Sequence, residues 1–295
     1  MNKKKILKGL IFGSIALLSG IAVLLTGNIG KKTYYPIEGD DRTQILFLGD
    51  SNIANEVEEQ TIPHLISKML DVNVYNCAVG GTTAAKANTD NHFDGVLDLF
   101  CLYNLSKALE TQDHNVFFDF YVEGNTLERN AMETMQMMGS IDCEKIDYVV
   151  ISYGLNDYVG GFSIESEDPY DEETYTGALR CAVERIIKQC PNAKIIFSSI
   201  TYCVFEDEQG NPIDGYEKDW GGGTIEQYRD AMGLVANEYE NVYFMDNLKD
   251  MDIHEENFSE YMRDAMHFSV KGQEMYAQNL TTLIEQIERD SMADE

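Results

Sequence analysis

An α/β fold built on a parallel sheet is what this 295-residue chain predicts. Two observations carry the prediction. Short apolar, β-branched runs recur five times, at Gln44–Leu48, Val72–Cys77, Tyr148–Tyr153, Lys194–Ile200 and Val242–Asp246. Each is followed by a stretch of helical periodicity, and that alternation specifies parallel strands with helices on both faces. The sequence has no internal period that would point to a repeat architecture.

Gln44–Leu48 reads as a buried strand that Gly49 breaks, with Ser51 two residues on in the turn Gly49-Asp50-Ser51-Asn52. Thr61-Ile62-Pro63 opens a helix with a capping threonine and a first-turn proline. Val72–Cys77 ends in Asn76-Cys77-Ala78-Val79-Gly80-Gly81, where paired glycines let backbone approach a ligand closely. A long connection from about Ala84 to Lys145 reads as an insertion packed on the sheet. It contains predicted helices over Phe93–Glu110 and Leu127–Met138, and Val116–Val122 between them as strand or loop. Its methionines are adaptable core material.

Tyr148–Tyr153 is a continuous apolar run of the kind buried in a parallel sheet, and it stops at Gly154-Leu155-Asn156-Asp157. A helix over Glu172–Gln189 follows the acidic loop after it. Val204–Gly223 reads as a long loop with Trp220 beside three glycines, Thr224–Glu240 as a helix, and Ser269 as the cap of a last helix over Val270–Arg289.

The formal net charge of -29 is unevenly placed. Six lysines precede Tyr34 with no acid among them; without them sixteen cations face 51 acids, a balance of -35. A body that acidic repels nucleic acid and anionic membrane surfaces. The first segment is a targeting element: a basic stretch, Lys3–Lys8, then Gly9–Thr26 without a charge. It is long for a signal-peptide core and near the lower limit for a spanning helix. An uncleaved anchor is the favoured reading over a cleaved signal. The flanking lysines put the N-terminus inside and the body outside, although Lys31 and Lys32 weaken that bias. The six cysteines show no metal-type spacing, and buried free thiols are the expected state for several of them. No metal and no cofactor is expected.

Polar residues at three strand ends (Ser51, Gly80-Gly81 and Asn156) and the pair Asp264 and His267 before the last helix all face one carboxyl edge of the sheet. The chemistry they suit is acyl transfer. A serine hydroxyl needs a neighbouring imidazole to take its proton, and His267 has the residue type for it. Asp264, three residues earlier, can hold the other ring nitrogen and fix the tautomer. The backbone N–H groups of Ser51 and Gly81 and the Asn156 side-chain amide are donors suited to an oxyanion.

Gly49-Asp50-Ser51-Asn52, Asn76 through Gly81, Gly154-Leu155-Asn156-Asp157 and Asp264-Ala-Met-His267 together resemble, in order and spacing, the four motif blocks of the SGNH/GDSL hydrolase superfamily. Asn52 stands where the GDSL name has Leu, a variation that the family tolerates. The resemblance spans about Gln44 to Ile287. It implies a flavodoxin-like three-layer α/β/α sandwich on a five-stranded parallel sheet, with Ser51 as nucleophile, His267 as base, Asp264 orienting it, and Ser51, Gly81 and Asn156 as the oxyanion hole. Residues 1–32 are then the anchor or signal segment, 33–43 a tether, and 44–290 the hydrolase domain with an insertion around 84–145.

The expected activity is ester hydrolysis, with carbohydrate O-acetyl groups at the cell surface as first choice of substrate. An acyltransferase acetylating surface glycan and a non-catalytic glycan-binding module are the alternatives. Five aromatics near the expected crevice, Tyr153, Tyr158, Phe162, Tyr202 and Trp220, are equally suited to stacking on sugar rings and to packing the core.

Overall fold

A computed structural model of the chain describes residues 40–87, 95–112, 129–207 and 209–293. The N-terminal segment and the stretch at 116–122 lie outside the described residues.

Seven strands form among the described residues: β1 (Gln44–Gly49), β2 (Asn73–Asn76), β3 (Tyr148–Ser152), β4 (Lys194–Ser198), β5 (Val204–Glu206), β6 (Pro212–Asp214) and β7 (Val242–Met245). Five make one parallel sheet in the order β2-β1-β3-β4-β7. β1 lies between β2 and β3, with Leu46 opposite Tyr75 on one side and Leu48 opposite Ile151 on the other. Ile45, Leu46, Phe47 and Leu48 are all 0% exposed. Burial on both faces is why this strand reads as a continuous apolar run, and each such side chain contributes about 1.5–3 kcal/mol to holding β1 at the centre.

The helices that matter for the site are α1 (Ser51–Ala54), α2 (Ile62–Leu70), α3 (Gly95–Asp98), α4 (Leu102–Thr111), α5 (Arg129–Met138), α6 (Leu155–Val159), α7 (Tyr175–Gln189), α8 (Ile225–Ala236) and α9 (Val270–Ala293). The chain passes from β1 to β2 in one direction across the sheet, and from β3 to β4 to β7 in the other. Right-handed crossovers running in opposite directions fall on opposite faces. Helix α9 packs on α2, while α4 and α8 pack on α7, giving three layers. The reversal of direction places a crevice at the carboxyl ends of β1 and β3, where open α/β sheets bind ligands.

Caps follow the sequence closely. Thr61 Oγ1 accepts from the His64 N–H at 3.3 Å, and Ser269 Oγ from the Gly272 N–H at 3.3 Å. The helix expected from Glu172 begins later, because Thr174 is its cap and accepts from Gly177. Thr224 and Gln227 form a reciprocal capping box on α8.

Three expectations need correction. The helix expected over Phe93–Glu110 is two helices, α3 and α4. Its first N–H groups in α4 bond outward, Leu102 to the Thr83 carbonyl at 3.0 Å and Tyr103 to the Ala84 carbonyl at 3.2 Å, so the helix restarts there. The expected loop at Val204–Gly223 contains the antiparallel hairpin β5–β6. The acidic loop expected after Gly154-Leu155-Asn156-Asp157 starts later, because α6 runs from Leu155 through Val159. All six cysteines are free thiols, with Cys77, Cys101, Cys190 and Cys203 buried and Cys143 and Cys181 half-buried.

Candidate active site

Ser51 is the first residue of α1, and the local sequence forces it onto the sheet edge. Gly49 ends β1 where a Cβ would sit 2.8 Å from Ile53 Cγ1 and 3.1 Å from the Ser152 carbonyl oxygen. The close approach of Ile53 and the Ser152 carbonyl leaves no room for a side chain there. Asp50 caps the helix, its carboxylate accepting from the Asn52 N–H at 3.0 Å.

The other expected residues are brought in by two neighbouring strands and one terminal loop. Beyond β2 the chain continues beside β1, with Cys77 N–H bonded to Phe47 C=O and Val79 N–H to Gly49 C=O, both at 2.9 Å. That delivers Gly80-Gly81 alongside the serine turn. Gly81 has φ +80, a left-handed conformation that glycine adopts without strain, while the nearest atom to a Cβ there would be the movable end of Leu97, Cδ1 at 2.9 Å. On the other side β3 ends beside Gly49 and passes into α6, which carries Asn156. The Asn156 amide donates to the Thr82 carbonyl at 2.8 Å, tying the two flanking segments together.

The terminal loop supplies His267. Its Nε2 lies 2.8 Å from Ser51 Oγ across 216 residues of sequence. Its Nδ1 lies 2.8 Å and 3.0 Å from the two Asp264 oxygens. The arrangement fixes the tautomer: Nδ1–H donates to the carboxylate, leaving Nε2 to accept from the serine hydroxyl. Asp264 Oδ1 also accepts from the Met266 N–H at 3.1 Å and the His267 N–H at 2.9 Å. Burial alone would raise the Asp264 pKa, but these backbone donors and the His267 ring outweigh it, so the pKa falls below the ordinary carboxylate value.

Two aspartates behind the serine go the other way. Burial pushes Asp50 and Asp157 up to about 7. Asp157 accepts from the N–H groups of Ala84 and Ala85, both at 2.9 Å, and so pins the segment that follows Gly81. That role was missed in the sequence, where Asp157 is only the last letter of a turn motif. Asn52 was missed too. Its Nδ2 donates to the Met266 carbonyl at 3.1 Å, and its Oδ1 accepts from the Phe268 N–H at 3.2 Å.

Of the five aromatics, Tyr153, Tyr158, Phe162 and Tyr202 are 0–2% exposed and belong to the core. Their rings hold loops in place. Tyr158, for instance, donates to the Gly215 carbonyl at 3.0 Å. Trp220 alone is open, 40% exposed, with Lys218 Nζ 4.1 Å from its ring centroid. A cavity lined by Asp50, Asn52, Ser152, Thr201, Asn247 and Tyr276 measures only ≈ 20 Å³. That is the size of a water site, not of a substrate pocket. Among the described residues no group of three or more His, Cys, Asp or Glu is placed to hold a metal ion.

A parallel sheet in the order β2-β1-β3-β4-β7, with this serine turn at its switch point, is an α/β fold of the SGNH type. The GDSL-like Lipase/Acylhydrolase family matches residues 47–275, and the chain belongs to that family. At family level it is therefore an enzyme that hydrolyses esters or transfers acyl groups. Among solved structures, a protein from Lactobacillus plantarum is 16% identical with a TM-score of 0.58, covering 83% of this chain and 97% of its own. A possible lipase from Chitinophaga pinensis is 16% identical with a TM-score of 0.53, covering 83% of this chain and 98% of its own. Likeness at that identity concerns the fold. No match is found among curated proteins.

Proposed function

We propose that the protein is a serine esterase in which Ser51 attacks the ester carbonyl, His267 is the general base and Asp264 orients it. The observation that carries this is the unbroken hydrogen-bonded line Ser51 Oγ–His267 Nε2 at 2.8 Å and His267 Nδ1–Asp264 Oδ1 at 2.8 Å. In the first step the serine oxygen bonds to the acyl carbon and its proton passes to Nε2. The negative charge on the former carbonyl oxygen is met by the Ser51 N–H, the Gly81 N–H and the Asn156 amide. Nε2 then returns the proton to the departing alcohol, leaving an acyl-serine. Water repeats the sequence and releases the acid.

The favoured substrate is a carbohydrate O-acetyl ester met outside the cell. Two features of the sequence support that reading: the basic flank and the uncharged run at Gly9–Thr26, read as a membrane anchor, and the strongly acidic body, suited to neutral partners. Among the described residues no helix is long and apolar enough to cross a membrane.

The test is hydrolysis of short acyl chromogenic esters and of acetylated sugars by the full chain in detergent. Ser51→Ala is expected to lower kcat on the order of 10⁶-fold and to abolish labelling by a fluorophosphonate. Acetate release that persists in Ser51→Ala refutes the assignment. Acetyl transfer to a sugar acceptor in preference to water turns the reading from hydrolase to transferase.

A further inference from the structure

The Asp264–His267 loop is well built internally, but its internal bonds do not aim it at Ser51. Asp264 Oδ1 gathers the Met266 N–H, the His267 N–H and the His267 ring. The Arg263 N–H bonds to the His267 carbonyl at 2.9 Å, and Met262 bridges Phe268. Every one of those partners lies within residues 262–268. If the loop shifts as a body, all of them survive, and the Ser51–His267 distance does not.

Asn52 supplies a tie that crosses that gap. It stands one residue after the nucleophile and is 9% exposed. Its amide grips the backbone on both sides of His267: Nδ2 donates to Met266 C=O at 3.1 Å and Oδ1 accepts from Phe268 N–H at 3.2 Å. Its own backbone is held by the Asp50 carboxylate at 3.0 Å. A single planar amide therefore fixes two consecutive peptide positions of the base loop relative to the turn that carries Ser51. From outside the site the loop is also touched by the β5–β6 hairpin, through Val204 N–H to Ala265 C=O at 3.0 Å. That contact holds a different residue of the loop and does not involve the serine turn. A leucine at position 52 has neither donor nor acceptor and would leave the Met266 carbonyl and the buried Phe268 N–H to find other partners.

We propose that Asn52 is a positioning residue that docks the His267 loop onto the nucleophile turn and sets the Ser51–His267 distance. Its effect on chemistry rests on the serine-esterase reading above; its effect on the loop does not. Misplacing a base by about 1 Å can cost on the order of 10²-fold in rate. Asn52→Leu is therefore expected to label with fluorophosphonate, and to turn over esters, about 10²-fold more slowly, with KM changed less than twofold. Asn52→Asp retains an oxygen for the Phe268 N–H and loses the donor to Met266, and it is expected to fall between wild type and Asn52→Leu.

The experiment measures labelling rate, kcat, KM and amide hydrogen exchange of residues 262–268 for wild type, Ser51→Ala and both Asn52 variants, below their melting temperatures. Faster exchange of that segment in Asn52→Leu but not in Ser51→Ala, with slowed labelling, is the expected result. Wild-type labelling and exchange in a folded Asn52→Leu overturns the proposal. Should Asn52→Leu not fold, wild-type values in Asn52→Asp overturn it equally. If the wild type neither labels nor turns over esters, the esterase reading fails, and the exchange of residues 262–268 still decides whether Asn52 docks the loop.

Discussion

The two halves of the site are held by different kinds of structure. Ser51 is 8% exposed and is fixed by main chain: β1, the extension of β2 and the end of β3 converge on it. His267 and Asp264 sit on a short loop with side chains 24% and 47% exposed, and they are ordered by one another and by their own backbone. The first half is placed by the sheet. The second is assembled locally and then docked. Such a division lets the nucleophile stay rigid while the base is positioned by few contacts, and it makes the few contacts decisive.

The sharpest way to break that contrast is to remove the base. His267→Ala is expected to cost as much kcat as losing the nucleophile, on the order of 10⁶-fold, since the pair acts as a unit; ester turnover within tenfold of wild type would refute the pairing. Asp264→Asn comes next. Half-open to solvent, Asp264 is partly replaceable by water, so kcat is expected to fall about 10³-fold, less than the roughly 10⁴-fold of a buried equivalent. Asn156→Ala tests the sheet-placed half and is expected to lower kcat about 10²–10³-fold with little change in KM; stopped-flow acylation rates would show it.

The aspartates of the two halves should also respond oppositely to pH. Asp50 and Asp157 hold their protons up to about 7 in the folded chain, against an unfolded value of 3.8. Folding therefore takes up protons between those values, and their contribution makes stability fall as pH rises through that window. Asp264 is shifted the other way, so its contribution is present above 3.8 and is lost as pH falls below it. Denaturant midpoints from pH 3 to 8 check this, and Asp50→Asn is expected to flatten part of the decline between pH 4 and 7. The smallest effect is expected at Trp220. With Lys218 over its ring and Phe205 packed edge-on against it, Trp220→Ala should alter KM for acetylated sugars less than about threefold. A tenfold rise would restore the stacking role that the burial of Tyr153, Tyr158, Phe162 and Tyr202 denies to those residues.

What was readable in the sequence follows the same division. Strands buried on both faces announce themselves as apolar runs, and Ser51, Gly81 and Asn156 are found by standing at their ends. Asp264 and His267 were readable because three-residue spacing before a capped helix is a local pattern. Asn52 was not, because its partners are backbone atoms more than 200 residues away. As a residue type it is simply a turn former. The hairpin β5–β6 was hidden for another reason: strands of three residues among Asp, Gly and Pro carry no periodicity to detect. The break before α4 depends on which carbonyls dock onto its first N–H groups, and no property of Leu99-Phe100-Cys101 encodes that. Exposure of the aromatics is likewise set by the packed loops and not by their composition.

The separation of 216 residues between Ser51 and His267 has a kinetic consequence. One member of the pair lies just after the first strand of the sheet, and the other three residues before the last helix. Their contact is thus among the longest loop closures in the chain, the kind that forms late because it rewards nothing until everything between is ordered. During refolding from denaturant, reactivity of Ser51 toward a fluorophosphonate should lag behind the return of helical circular dichroism. The serine would then report the completion of the native topology, where spectroscopy reports only its parts.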